Sequence, residues 1–199
     1  MPAGGPVFID VPYPVSEKAR EIFRANALYP TGESRSSMML TEHNDFSRSV
    51  EGLRIHAVEP ETLETFLELF LRGFETPDDI IPLARALFRD LIIEHCQPDR
   101  FRLYLGTFRG VPACTQYLFY EGGEGGVNMV STKKELRGKG LATAMVRQVI
   151  LDSRDLGISL LSLETRWNGA PERLYRRLGF STIMRHEVFT NSPDLEYGL

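Results

Sequence analysis

The chain is poor in cysteine: Cys96 and Cys114 are its only two, and they show neither zinc-ligand spacing nor a disulfide framework. Both are expected to be reduced, partly buried thiols. His43, His56, His95 and His186 are scattered without an i, i+4 pair, and HEVFT lacks the second histidine of a zincin helix, so no metal site is expected. Long apolar runs are also missing. Leu91, Ile92 and Ile93 are stopped by Glu94, far short of the roughly 20 apolar residues of a membrane span, so no membrane partner is expected. Neither sign of charge dominates. The 23 Lys and Arg stand against 27 Asp and Glu, and a net charge of −4 gives no footprint for nucleic acid. The first ten residues, MPAGGPVFID, have no basic stretch followed by an apolar one, so they do not read as a secretory signal and a cytoplasmic location is expected.

What is present is an ordinary globular mixture, 42% hydrophobic and 25% charged, which excludes wholesale disorder. VFIDV (7–11) reads as a strand, SEKAREIFRAN (16–26) as a helix and SSMML (36–40) as a second strand. Residues 42–52 are polar and end in glycine, the best linker in the chain. This predicts an N-terminal unit over 1–45 and a main domain over 53–199. In the latter LRIHAV is a strand, and residues 61–74 and 80–95 are helices, the second with Leu83, Leu87, Leu91 and Ile92 on its apolar face. FRLYLGTF and VPACTQYLFYE form a hairpin about Arg109 and Gly110, GGEGG makes a flexible second turn, and GVNMVST (126–132) is the third strand. A helix from Gly140 to Leu156, the strand ISLLSLET, a helix over 171–178 and the strand FSTIMRHEVFT follow. This order is α+β and disfavours a doubly wound dinucleotide fold.

Between the third strand and the next helix lies KKELRGKGLATAM. Gly138 and Gly140 let backbone approach a ligand, the N–H groups of Leu141 and Ala142 open the helix, and Arg137 and Lys139 add positive charge. This is a cradle for a phosphorylated ligand. The P-loop pattern is absent, and Thr143 stands where G-x-G-x-x-G needs its last glycine.

The segment does match R-x-x-G-x-A, as Arg137, Gly140 and Ala142, and here the chain resembles the GNAT superfamily of N-acetyltransferases. ETRWNGAPERLYRRLGF (164–180) matches a second signature of that family through Asn168, Leu174, Tyr175, Gly179 and Phe180, with Pro171 where the family has Ala. A proline in the first helical turn is harmless, because its missing N–H had no intrahelical partner. The resemblance covers residues 53–190. It implies a mostly antiparallel sheet flanked by helices, with a splayed strand pair holding the CoA arm near Val130 and Thr132, and acetyl-CoA as cosubstrate. It implies that Arg137, Gly138, Lys139, Gly140, Leu141 and Ala142 hold the pyrophosphate, that Asn168 contacts the cofactor arm or caps its helix, and that Tyr175 is the general acid. An unperturbed phenol, with a pKa of about 10, keeps the proton it would give to the departing thiolate.

A base is harder to assign. Several relatives have a glutamate where this chain has Gly126, leaving Glu124 and Glu164 as the available carboxylates, unless the amine arrives neutral. Glu75, Asp78 and Asp79, between the first two helices of the main domain, would attract an ammonium acceptor. A faint repeat at an offset of 152 sets Arg20–Arg24 against Glu172–Arg176, with Phe23 opposite Tyr175, and suggests that residues 1–45 are a remnant half-lobe. The expected activity is acetyl transfer from acetyl-CoA to a primary amine of a small molecule or peptide by direct attack. The alternative is a catalytically silent acyl-CoA-binding or protein-interaction module. A homodimer is compatible with the strand edges.

Overall fold

The computed structural model describes residues 6–42 and 49–192, so positions 43–48 of the expected linker, His43 among them, lie outside the described residues. The architecture is α+β, with mostly antiparallel strands and flanking helices, and its residues group into two compact units, 1–42 with 163–199 and 43–162.

In the second unit, β3 (Leu53–Ala57), β4 (Phe101–Phe108), β5 (Val111–Glu121) and β6 (Glu124–Thr132) form an antiparallel meander. Arg109 and Gly110, both at positive φ, make the first two-residue turn, and Gly122 and Gly123 make the second. Glu124 is therefore the first residue of β6, opposite Glu121, and does not sit on a long flexible turn. Gln116 on β5 is opposed by both Met129 and Val130, a bulge in which Met129 has φ 51°.

Helix α2 (Leu63–Gly73) and α4 (Leu141–Asp155) cover opposite faces of this meander, as successive residues of β5 show. Gln116 donates to the Met145 carbonyl of α4, while Thr115 bonds Ser131, whose hydroxyl donates to the Leu69 carbonyl of α2. Gly73 lies so close to Ser131 that a Cβ there would meet its Oγ at 2.5 Å. Phe66, Leu67, Phe70 and Leu71 of α2 build the core on that side.

The apolar face of α3 (Ile81–His95) differs from the expected one. Ile81 and Ile92 are buried, with Ala84 and Phe88 packed beside them, whereas Leu83 is 71% and Leu87 65% exposed. Two apolar stripes run along this helix. The one that meets Phe66 and Phe70 is buried, and edge-on stacking of Phe88 on Phe70 at 4.9 Å fixes the choice.

In the first unit, β8 (Phe180–Thr190) is flanked by β1 (Phe8–Pro12) and β2 (Tyr29–Leu40), antiparallel to both, and β2 neighbours β7 (Leu160–Arg166). β2 begins well before the predicted strand. Its ladder with β8 overrides the poor strand propensity of Pro30 and Gly32, and a register shift between Pro30 and Ser34 absorbs them. Residues 6–42 thus share their core with the C-terminal strands. Helix α1 (Glu17–Ala25) sets Phe23 4.9 Å from Phe189, and Arg20 pairs with Glu187 at 2.6 Å. Helix α5 (Ala170–Arg177), with Pro171 in its first turn, precedes β8.

Candidate active site

The loop between β6 and α4 is built as a cradle. Gly138 has φ 79° and Gly140 φ 80°, left-handed values that other residues adopt at a cost. A Cβ at Gly138 would meet no atom within 4 Å, so the space in front of the loop is open. The first ladder bond of α4 runs from Ala144 N–H to the Gly140 carbonyl, and no side chain caps the helix. The N–H groups of Leu141, Ala142 and Thr143 are the unladdered donors of a helix start, beside the exposed Lys139. Upstream, Thr132 Oγ1 is buried without a hydrogen-bond partner among the described residues, and Val130 sits in the bulge of β6. An open glycine turn, an uncapped helix end and an orphaned hydroxyl together suit a phosphorylated ligand with a polar arm.

Arg137 does not point its charge into the cradle. It donates to the Thr132 carbonyl at 3.2 Å, the Gly73 carbonyl at 2.8 Å and Glu75 Oε1 at 2.9 Å, tying the loop to the end of α2. Glu75 in turn takes Arg137 and Lys134, and these two cations hold its carboxyl below the usual carboxylate range. Asp78 pairs with Arg72 at 2.9 Å. The acidic stretch read as an ammonium attractor is thus largely paired.

Tyr175 and Asn168 belong to the other unit. Tyr175 is 7% exposed, its ring 6.0 Å from that of Phe180, and the described residues offer its hydroxyl no hydrogen bond. Burial pushes its phenol up to about 12, so it keeps its proton at neutral pH. Asn168 is exposed at φ 60°, a conformation asparagine tolerates. Its side chain does not cap α5, whose N-cap is Gly169. Its backbone N–H donates to Glu172 Oε2 at 2.5 Å.

Glu172 is not among the matched positions of either sequence motif. Only 3% exposed, it accepts from Ser36 Oγ at 3.1 Å, Arg176 Nη2 at 2.8 Å and Thr182 Oγ1 at 2.8 Å besides Asn168. Burial pushes its carboxyl up, but these hydrogen bonds outweigh it and leave the pKa lowered. One carboxylate therefore stitches α5, β2 and β8 together.

The two carboxylates considered for a base lie in different surroundings. Glu124 is six residues up β6 from Val130, roughly 20 Å at about 3.3 Å per residue. Glu164 accepts from Ser37 Oγ at 3.1 Å, and Ser37 Oγ also lies 2.8 Å from His186 Nε2. Neither Ser37 nor His186 carries a sequence signal, since lone polar residues in strands are common. Cys114 is buried, and desolvation pushes its thiol up to about 12, which leaves it inert.

Residues 104–190 match the family model described as FR47-like protein. No curated protein sequence matches the chain. A GCN5-related N-acetyltransferase from Sphaerobacter thermophilus superposes with a TM-score of 0.74 at 21% identity, covering 93% of this chain and 59% of that one. A GCN5-related N-acetyltransferase from Kribbella flavida gives 0.64 at 15% identity, over 92% of this chain and 67% of the other. A tandem GNAT protein from the clavulanic acid biosynthesis pathway gives 0.67 at 12%, over 93% and 62%. The chain thus spans less than two thirds of the Sphaerobacter protein's length. The strand and helix order is thus the fold of these GCN5-related N-acetyltransferases, and residues 104–190 match the FR47-like family model.

Proposed function

We propose that the protein transfers acetyl from acetyl-CoA to a primary amine of a small molecule or peptide. The observation that carries this reading is the glycine cradle at the uncapped start of α4. Backbone N–H groups of Gly138 to Ala142 would hold the donor's pyrophosphate, with Lys139 adding charge. Val130 and Thr132 would bind its arm, and Asn168, in the turn before α5, would contact that arm. The amine attacks the thioester carbonyl directly, backbone donors near Val130 stabilise the carbonyl oxygen, and Tyr175 protonates the leaving sulfur. A phenol near 12 stays protonated over the working range, and the same desolvation would raise a buried thiolate's affinity for its proton.

Gly126 at the position where relatives place a glutamate favours a second reading, a silent module that binds acyl-CoA without turnover. Calorimetric CoA binding beside amine-dependent thiol release separates the two. Binding with turnover supports the enzyme, binding without turnover across amines and peptides supports the module, and no binding overturns both.

A further inference from the structure

Helix α3 carries an apolar face that the other described residues leave open. Ile80 at its N-cap, Leu83, Leu87, Leu91 and Ile93 are each at least 45% exposed, and no other element among the described residues holds more than two exposed large apolar side chains. At 3.6 residues per turn the five lie within an arc of about 160°, along a helix about 22 Å long. The opposite arc is already used, with Ile81 and Ile92 buried against α2 and Ala84 and Phe88 beside them. Single exposed leucines are ordinary, but a contiguous stripe marks a surface that another molecule covers.

The charges on this arc have one sign. Asp90 and Glu94 stand exposed among Leu87, Leu91 and Ile93, Asp79 precedes Ile80, and the arc contains no Lys or Arg. The cations of the helix, Arg85 and Arg89, turn the other way and pair with Glu68 and Glu64 of α2. Glu94 also lies in the last turn, where the helix dipole disfavours an anion and a cation from outside would relieve it. A lipid surface is a poor occupant, because helices that lie on membranes carry Lys and Arg beside their apolar face and anionic headgroups repel carboxylates. A second copy of this arc is equally poor, since it would bring apolar side chains but only further acids.

We propose that the outer face of α3 docks an amphipathic helix of a partner protein whose apolar stripe is bordered by Lys or Arg. Leucines one turn apart, at 83, 87 and 91, offer the spacing that a partner helix meets with its own residues at i, i+3, i+4 and i+7. The partner's apolar side chains seat on Ile80, Leu83 and Leu87, and its cations on Asp90 and Glu94, which fixes its direction along α3. Burial drives the contact and the charges choose the partner. Docking here requires no acetyl transfer, so it stands or falls separately from the enzyme reading.

The test uses two fluorescein-labelled amphipathic peptides, each about 18 residues long and so able to form a helix, with the same leucine stripe bordered by Lys in one and by Glu in the other. Binding to the full chain is read by fluorescence anisotropy. The Lys peptide should bind about 10-fold or more tighter than the Glu peptide. Leu83→Ser combined with Leu87→Ser should weaken it by about 10-fold or more with an unchanged urea midpoint, since both side chains are exposed. Asp90→Lys, with both leucines in place, should cut the preference for the Lys peptide several-fold. Equal affinity for the two peptides, wild-type affinity in the double variant, or an unchanged preference in Asp90→Lys overturns the proposal. A dimer by light scattering that the double variant abolishes would assign the face to a second copy, and co-sedimentation with phosphatidylserine vesicles lost in that variant would assign it to a lipid surface; either result also overturns it.

Discussion

Helices α1 and α4 begin in opposite ways. At α1 the Ser16 hydroxyl accepts from Ala19 N–H, Glu17 adds an anion to the first turn, and the helix end is satisfied from within the chain. At α4 a left-handed glycine replaces the cap, the first turn has no acidic residue, and the space before Gly138 is open. A helix that only needs to be stable closes its own end. One that leaves its donors uncapped, and surrounds them with glycine and lysine, is arranged for an anion from outside.

Tyr175→Phe should have the largest effect. Losing the proposed proton donor should lower turnover by about 100- to 10,000-fold, while calorimetry should find CoA affinity unchanged. No alkaline limb of the pH–rate profile should trace to this residue below about pH 10, because its phenol lies near 12. Its raised pKa also contributes stability that is full below the unfolded value near 10 and fades as pH rises towards 12; denaturant melts of the Phe variant should lack that part.

Gly138→Val attacks the open helix start. Its Cβ meets nothing, so the fold loses only about 1–2 kcal/mol from the left-handed backbone, but CoA affinity should fall on the order of 100-fold by calorimetry. Equal losses in stability and affinity in other loop variants would blur the contrast between the two helix ends.

Glu172→Leu should destabilise by about 2–4 kcal/mol in urea melts, since it orphans Ser36, Thr182 and the Asn168 N–H. Because the folded carboxyl is lowered, its contribution is present above the unfolded pKa and is lost as pH falls through the folded value. The wild type should therefore weaken in acid more steeply than the variant. Ser16→Ala, the closed-end counterpart, should cost only about 1 kcal/mol and leave CoA binding alone.

The cradle was legible because glycines and the strand before them are local signals. The element order was legible for the same reason, hydrophobic period and turn residues acting within each segment. The buried side of α3 was not, since Leu83, Leu87 and Leu91 have as good a helical spacing as Ile81, Phe88 and Ile92, and only contact with α2 decides between them. The length of β2 was hidden for a related reason, because β8, far away in sequence, supplies its ladder. Glu172 and the Ser37–His186–Glu164 chain depend on strands and helices more than 120 residues apart, and single polar residues in strands announce nothing. Tyr175 could be singled out only through family resemblance, as a tyrosine on an amphipathic helix has a structural use as well.

The central claim is that the open start of α4 holds an acyl-CoA for transfer to an amine. The most direct test is thiol release from acetyl-CoA, followed with and without a panel of amines and peptides, in wild type and Gly138→Val. The account predicts amine-dependent release that the variant loses through weaker CoA binding. Amine-dependent release that is undiminished in Gly138→Val at subsaturating acetyl-CoA would contradict it.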